Sequence, residues 1–196
     1  MSLKAVVCAS LLLVLAFAGC TGKTPTTSST TQASGLGYSL SSAAPLGTTA
    51  SGIVECGAGY TSHELYDVKI TMLEVARGQK AREMMGSASA PDSGLEYVIA
   101  RVKFEYYARG APGDCCHELK STQFSAFSGD GREYPAAAAM PPSPELKGKA
   151  CAGTNFEGWV VFQVSKDDKK PVAMFSAGVG GAEAIEHGGN VWLRLY

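Results

Sequence analysis

No apolar run in this 196-residue chain reaches the roughly 20 residues that a membrane-spanning helix requires. Charge of either sign is not in surplus, with 17 Lys plus Arg against 18 Asp plus Glu. No strong field therefore points to nucleic acid or to an acidic surface as a partner. Histidine is scarce, at three residues. No Gly-x-Ser-x-Gly elbow, His-Glu-x-x-His helix, P-loop or EF-hand calcium loop occurs, which leaves the common hydrolase, zinc-peptidase, nucleotide and calcium chemistries without their signatures. His63 and His117 are each followed by Glu, but no second His stands three residues beyond that Glu, and His187 lies in a Gly-rich stretch. A solvated or structurally bonded imidazole is the default for each.

What is present begins at the amino end. Lys4 precedes an apolar run through Leu11 to Leu15, and Ala18-Gly19-Cys20 closes it with small residues and a cysteine. Residues 1–19 are expected to form a lipoprotein signal peptide, and Cys20 the lipidated first residue of the mature chain. Phe17 stands where such boxes more often carry Leu. Two acyl or ether-lipid chains hold a protein at a membrane where one does not. The expected location is the extracytoplasmic face of the cell membrane, with the lipid on Cys20 as the membrane partner.

After Cys20 the composition changes. Residues 21–35 are Thr, Ser, Gly, Pro, Lys, Gln and Ala, with no large apolar side chain. Such a tract has nothing to offset the entropy of ordering it. The sequence predicts a stalk over residues 20–50, with a reach of roughly 30 Å, and one folded domain over 51–196.

Of the six cysteines, Cys8 leaves with the signal and Cys20 carries the lipid. Cys56, Cys115, Cys116 and Cys151 remain, an even set in an exported chain. Adjacent cysteines rarely bond to each other because the small ring distorts the peptide between them. Cys56 and Cys151 are each expected to join one of Cys115 and Cys116, in an order the sequence leaves open. The competing chemistry is a metal or redox site on Cys115, Cys116 and His117. Adjacent residues of an extended chain point to opposite faces, which makes a poor chelate, and no metal or other cofactor is expected.

The body of the chain has the two-residue period of strands. Val98, Ala100, Val102, Phe104 and Tyr106 alternate with polar or mixed neighbours, as do Val68, Ile70 and Met72. Residues 79–94 separate these strands as a long loop with one helical turn at 81–85. Gly129-Asp130-Gly131 predicts a hairpin turn between 122–127 and 132–134. Gly158 to Val164, Val172 to Phe175 and Val191 to Tyr196 complete the set. The fold class is all-β: an Ig-like antiparallel β-sandwich of about seven to nine strands.

The stretches 68–75, 96–104, 127–134 and 158–167, above all the Asp-Gly hairpin followed by Gly-Trp-Val-Val-Phe, resemble the Ig-like domains of unknown function of many prokaryotic surface lipoproteins. That group is sometimes filed with immunoprotective extracellular proteins, and the likeness covers roughly residues 65–177. It implies a fold and a location, and no catalytic residues. The chain departs from it at Ala108-Arg109-Gly110 and Cys151-Ala152-Gly153, where the group has an Asn-rich turn and a Pro-Gly turn.

Function is therefore expected to be binding or structural, without catalysis, with a protein or glycan at the cell surface as the partner and no nucleic acid. Rigid sheets would present loops 79–94, 108–117 and 135–151. The candidate contact residues are Met84 and Met85, as an adaptable apolar pair, and Trp192 and Tyr196, which share one strand face. Trp159 is expected in the core, and Asp167 and Asp168 in a solvated turn rather than around calcium. An unrecognised hydrolase would need His63 or His117 to meet a carboxylate and a Ser or Cys in a cleft.

Overall fold

The computed structural model describes residues 35–56, 64–86, 90–110, 114–177 and 190–196, all within a compact unit that runs from Gln32 to Tyr196. The signal and the first half of the stalk, Cys20 included, lie outside the described residues. The strands, in chain order, are β1 (Thr49–Cys56), β2 (Glu64–Arg77), β3 (Leu95–Ala108), β4 (His117–Leu119), β5 (Phe124–Phe127), β6 (Gly148–Ala150), β7 (Thr154–Ser165), β8 (Val172–Ser176) and β9 (Asn190–Arg194). Among the described residues there is one α-helix, α1 (Gly78–Met85), which follows β2 directly. No helix among the described residues is long and apolar enough to cross a membrane.

The strands form a four-stranded sheet in the order β1-β2-β3-β7, a three-stranded sheet β5-β8-β9, and a small β4-β6 pair. Every ladder is antiparallel. The alternation seen in the sequence buries Val68, Ile70 and Met72 of β2, and Val98 through Tyr106 at every second position of β3. These meet Phe124, Ala126, Ala173, Phe175, Val191, Leu193 and Leu195 from the smaller sheet. Phe175 sits at the centre, with its ring 5.5 Å from Phe104 and 5.0 Å from Phe124. The protein is an all-β sandwich.

A bulge divides β2. Met72 pairs with Val102 and Glu74 with Arg101, so Leu73 is the extra residue. Beyond it the parity inverts: Val75 packs against the main core, and Ala76 joins a second cluster with Ala81, Tyr97, Ile99 and Trp159. Ala81, Met84 and Met85 lie on one face of α1 at helical spacing and close over that cluster. Gly86 ends the helix at φ +70°. At this end the larger sheet is covered on both faces.

Three sequence expectations change. Residues 35–50, assigned to the stalk, are folded onto the sandwich: Ala43, Ala44 and Ala50 are buried, and Ala44 bridges Leu193 in parallel. Small residues fit there because the backbone approaches closely; a Cβ on Gly37 would lie 2.6 Å from that of Ala50. Domain packing thus begins by about Gly35 rather than at Ser51. The 122–127 strand is shortened by a 3-10 turn at Ser121–Gln123. Its hairpin return is a single bridge, Phe127 to Glu133, because the buried Ser128 draws the turn tight, its hydroxyl accepting from Arg132 N at 3.0 Å and bonding Asp130.

Candidate functional site

Among the described residues, Arg82, Glu83, Asp92, Glu96 and Lys166 border an open hollow between α1 and the start of β3, and two further places gather chemistry-bearing side chains. The first is the sulfur-rich end. Cys56 of β1 bonds Cys115, and Cys116 bonds Cys151, so each neighbouring cysteine takes a different distant partner. Tyr66 of β2 lies beneath, stacked on Tyr106 of β3 at 4.6 Å. Its hydroxyl donates to Glu64 Oε2 at 2.5 Å and accepts from Cys115 N at 3.1 Å. The bond to Glu64, and then burial, raise the Tyr66 pKa. Tyr106 is fully buried and its hydroxyl has no hydrogen-bond partner among the described residues; burial pushes its proton affinity far above that of a free phenol.

His117 stands next to this pair. Its ring lies 6.1 Å from Tyr106 and 6.2 Å from Phe104, nearly parallel to both, and edge-on to Phe175 at 6.3 Å. Nε2 meets the Gln123 side-chain amide, whose Oε1 also accepts from Lys120 N at 2.9 Å. His117 Nε2 lies 3.1 Å from Gln123 Nε2 and 3.3 Å from Gln123 Oε1, so the imidazole accepts from the one or donates to the other according to its tautomer. Burial lowers its pKa below the ordinary 6.5. His117 is therefore a bonded imidazole beside a disulfide, and a metal or redox role for Cys115, Cys116 and His117 would first require the bridges to open. Among the described residues no group of three His, Cys, Asp or Glu is placed to hold a metal ion.

The second place is a groove of about 250 Å³ where the edges of the two sheets part, between β5 and β7. Residues 135–146 run along it as a strap. The strap is held at one end by Tyr134 N to Ala126 O at 2.8 Å, and at the other by Trp159 N to Pro144 O at 2.8 Å and Leu146 N to Trp159 O at 3.0 Å. Gly158 permits that second attachment, since a Cβ there would lie 2.6 Å from Leu146 N. Close to the first end, Gln163 donates to Ala136 O at 3.1 Å and to Asp92 at 2.9 Å. The walls are apolar at Phe124, Pro135, Ala137, Met140 and Val161, with Glu145 at the rim bonded to Ser121 at 2.8 Å and Lys147 at 2.8 Å. Those two bonds hold the Glu145 carboxyl below its usual pKa. The groove offers mixed apolar and polar contact, with the fixed Glu145 carboxylate and the exposed Glu133 at its edge.

The sequence candidates are scattered. Met84 and Met85 are half-buried on the inner face of α1. Trp192 is half-buried as well, its ring 5.1 Å from that of Phe127. Tyr196 is 47% exposed and lies beneath the Arg194 guanidinium at 5.7 Å. Trp159 is in the second core cluster. Asp168 accepts from Tyr134 and from Lys170 N, both at 2.8 Å, so its oxygens serve the turn. His63 and His187 lie outside the described residues. The groove was not legible in the sequence; its one signal was the Ala-Pro composition of residues 135–144, which has no strand period.

The fold defines the class, an all-β antiparallel sandwich carrying two disulfides. No protein family, no curated protein and no solved structure matches the chain.

Proposed function

We propose that this chain is a lipid-tethered extracytoplasmic Ig-like module that acts by binding or as a structural surface component, without catalysis. The observation that carries it is the pairing of Cys56 with Cys115 and Cys116 with Cys151. Disulfides persist in oxidising compartments, and with every described cysteine bridged, Cys8 and Cys20 are left, of which Cys20 closes the small-residue box that lipidation needs. The resemblance of residues 65–177 to prokaryotic surface lipoproteins supports the same location. The groove between β5 and β7, mixed apolar and polar with the Glu145 and Glu133 carboxylates at its edge, is the binding surface for a protein or glycan partner.

Intact-mass measurement on protein from native membranes tests this. The expected species starts at Cys20, carries lipid mass, and is four hydrogens lighter than its reduced form, two for each bridge. A full-length, unacylated chain with free thiols overturns it.

A further inference from the structure

The two sheets present outer faces of different chemistry. On the larger sheet, away from α1, the outer face is charged and internally paired. Arg101 meets Glu157 at 3.1 Å, Lys103 meets Glu105 at 3.0 Å, Arg109 meets Asp67 at 3.3 Å, and Lys69 lies 5.0 Å over the Tyr107 ring. The smaller sheet turns Phe127, Met174 and Trp192 outward, all half-buried, with Met174 and Trp192 paired across β8 and β9. Leu40 reaches over this face as far as the hairpin tip, where a Cβ on Gly131 would lie 3.4 Å from its Cδ2.

Exposed apolar side chains gather around the same sheet. Among the described residues six large hydrophobics are exposed, and four of them, Leu36, Tyr38, Leu46 and Tyr196, belong to residues 36–46 and the end of β9. These two stretches are bonded together: Trp192 N donates to Gly37 O at 2.7 Å, Ala44 N to Trp192 O at 2.9 Å, and Arg194 N to Ala44 O at 2.8 Å. The rim is continuous with the point where the chain arrives from Cys20. Fourteen residues separate Cys20 from Gly35, and a chain of that length spans at most about 50 Å. A short tether gives whatever holds Cys20 a high effective concentration at this rim.

We infer that the outer rim of the smaller sheet, Leu36, Tyr38, Leu46 and Tyr196 around Trp192, rests on the lipid headgroup layer and turns the charged face of the larger sheet away from it. This rests on the tether proposed above. Tyr and Trp favour the headgroup level, where a ring finds apolar contact and its polar atom stays wet. The paired ions of the opposite face would lose water on entering it. The domain then has a fixed orientation, with the small sheet down.

The two tryptophans are placed to test this, because Trp159 lies in the cluster under α1 and Trp192 on the smaller sheet. The chain from Cys20 onward, its bridges intact, is coupled through the Cys20 thiol to a maleimide lipid in phosphatidylcholine vesicles that also contain a lipid with a nitroxide headgroup. Trp159→Phe reports Trp192, and Trp192→Phe reports Trp159. With rings at headgroup depth, the expected result is loss of about half the Trp192 emission and little change at Trp159. Replacing Leu36, Tyr38, Leu46 and Tyr196 together by Ser restores the Trp192 emission, while Tyr107→Ser does not. If Trp159→Phe fails to fold, the difference between the parent chain and Trp192→Phe gives the same readout. Equal quenching of both rings, or of neither, overturns the inference. Coupling by maleimide does not depend on natural acylation, so an unacylated Cys20 in native membranes sinks the tether alone while the vesicle result still decides the face.

Discussion

The two ends of the larger sheet reach stability by different means. At the α1 end β3 is buried on both faces: Val98 and Ala100 point into the sandwich, and Tyr97 and Ile99 point under the helix and strap. At the sulfur end Phe104 and Tyr106 still point inward, but Lys103, Glu105 and Tyr107 face water, and two disulfides tie the strand ends to the loops. Apolar burial on two faces needs no covalent help. A sheet wet on one side, bordered by loops with few ladder bonds, gains more from shortening the unfolded chain.

The sharpest way to break this contrast is to remove the bridges. The sequence separations of 59 and 35 correspond to about 4 kcal/mol each in the chain-entropy picture. Replacing both pairs by Ser should lower the denaturant midpoint far more than any single core truncation, with hydrogen exchange rising first around β4 and β6. Ile99→Ala tests the other end. A cavity under α1 should cost about 3 kcal/mol by equilibrium unfolding, and the loss should be the same whether the bridges are intact or absent, since distant sites add. Full coupling between the two would refute the contrast.

Smaller effects sharpen it. Gly158→Ala pushes a Cβ into the strap backbone at Leu146 and should cost about 1–3 kcal/mol, with faster proteolysis within 135–146 as the local readout. Tyr106→Phe removes a buried hydroxyl that has no partner among the described residues, and it should be neutral or stabilising by up to about 1 kcal/mol. The smallest effect is in pH. Because the folded state lowers the His117 pKa beneath 6.5, the unfolded chain takes up the proton first as pH falls. Stability from this residue is complete above about 6.5 and is lost as pH drops through the folded value. His117→Gln should flatten that part of the stability profile. The Asp130 and Glu145 carboxyls, also lowered by hydrogen bonds, act at more acid pH and should leave their part of the profile in place.

The strands that carry the main core were legible because one buried face against one wet face imposes a period of two, as in Val98 through Tyr106. The pairing of Cys56 and Cys151 with the Cys115-Cys116 step was legible up to its order, since local geometry forbids the adjacent bond and nothing in the sequence ranks the two distant ones. The packing of residues 35–50 was hidden because Ala43, Ala44 and Ala50 bury little area each; their place is set by close backbone approach to β9, which composition does not record. For Met84 and Met85 the sequence favoured cover over contact, and the position of α1 over Tyr97 and Ile99 makes them cover. The groove depends on where two sheet edges part, a property of the assembled layers that no local pattern carries.

The extra residue at Leu73 works like a frameshift that the chain reads through. One continuous strand serves the sandwich interior in one phase and the cluster under α1 in the other. Deleting Leu73 would remove the bulge and restore simple alternation, with Glu74 still opposite Arg101, Val75 still inward opposite Ala100, and Ala76 still opposite Ile99 under α1. The bulge is therefore the point at which β2 can lose a residue without moving the side chain on which α1 rests.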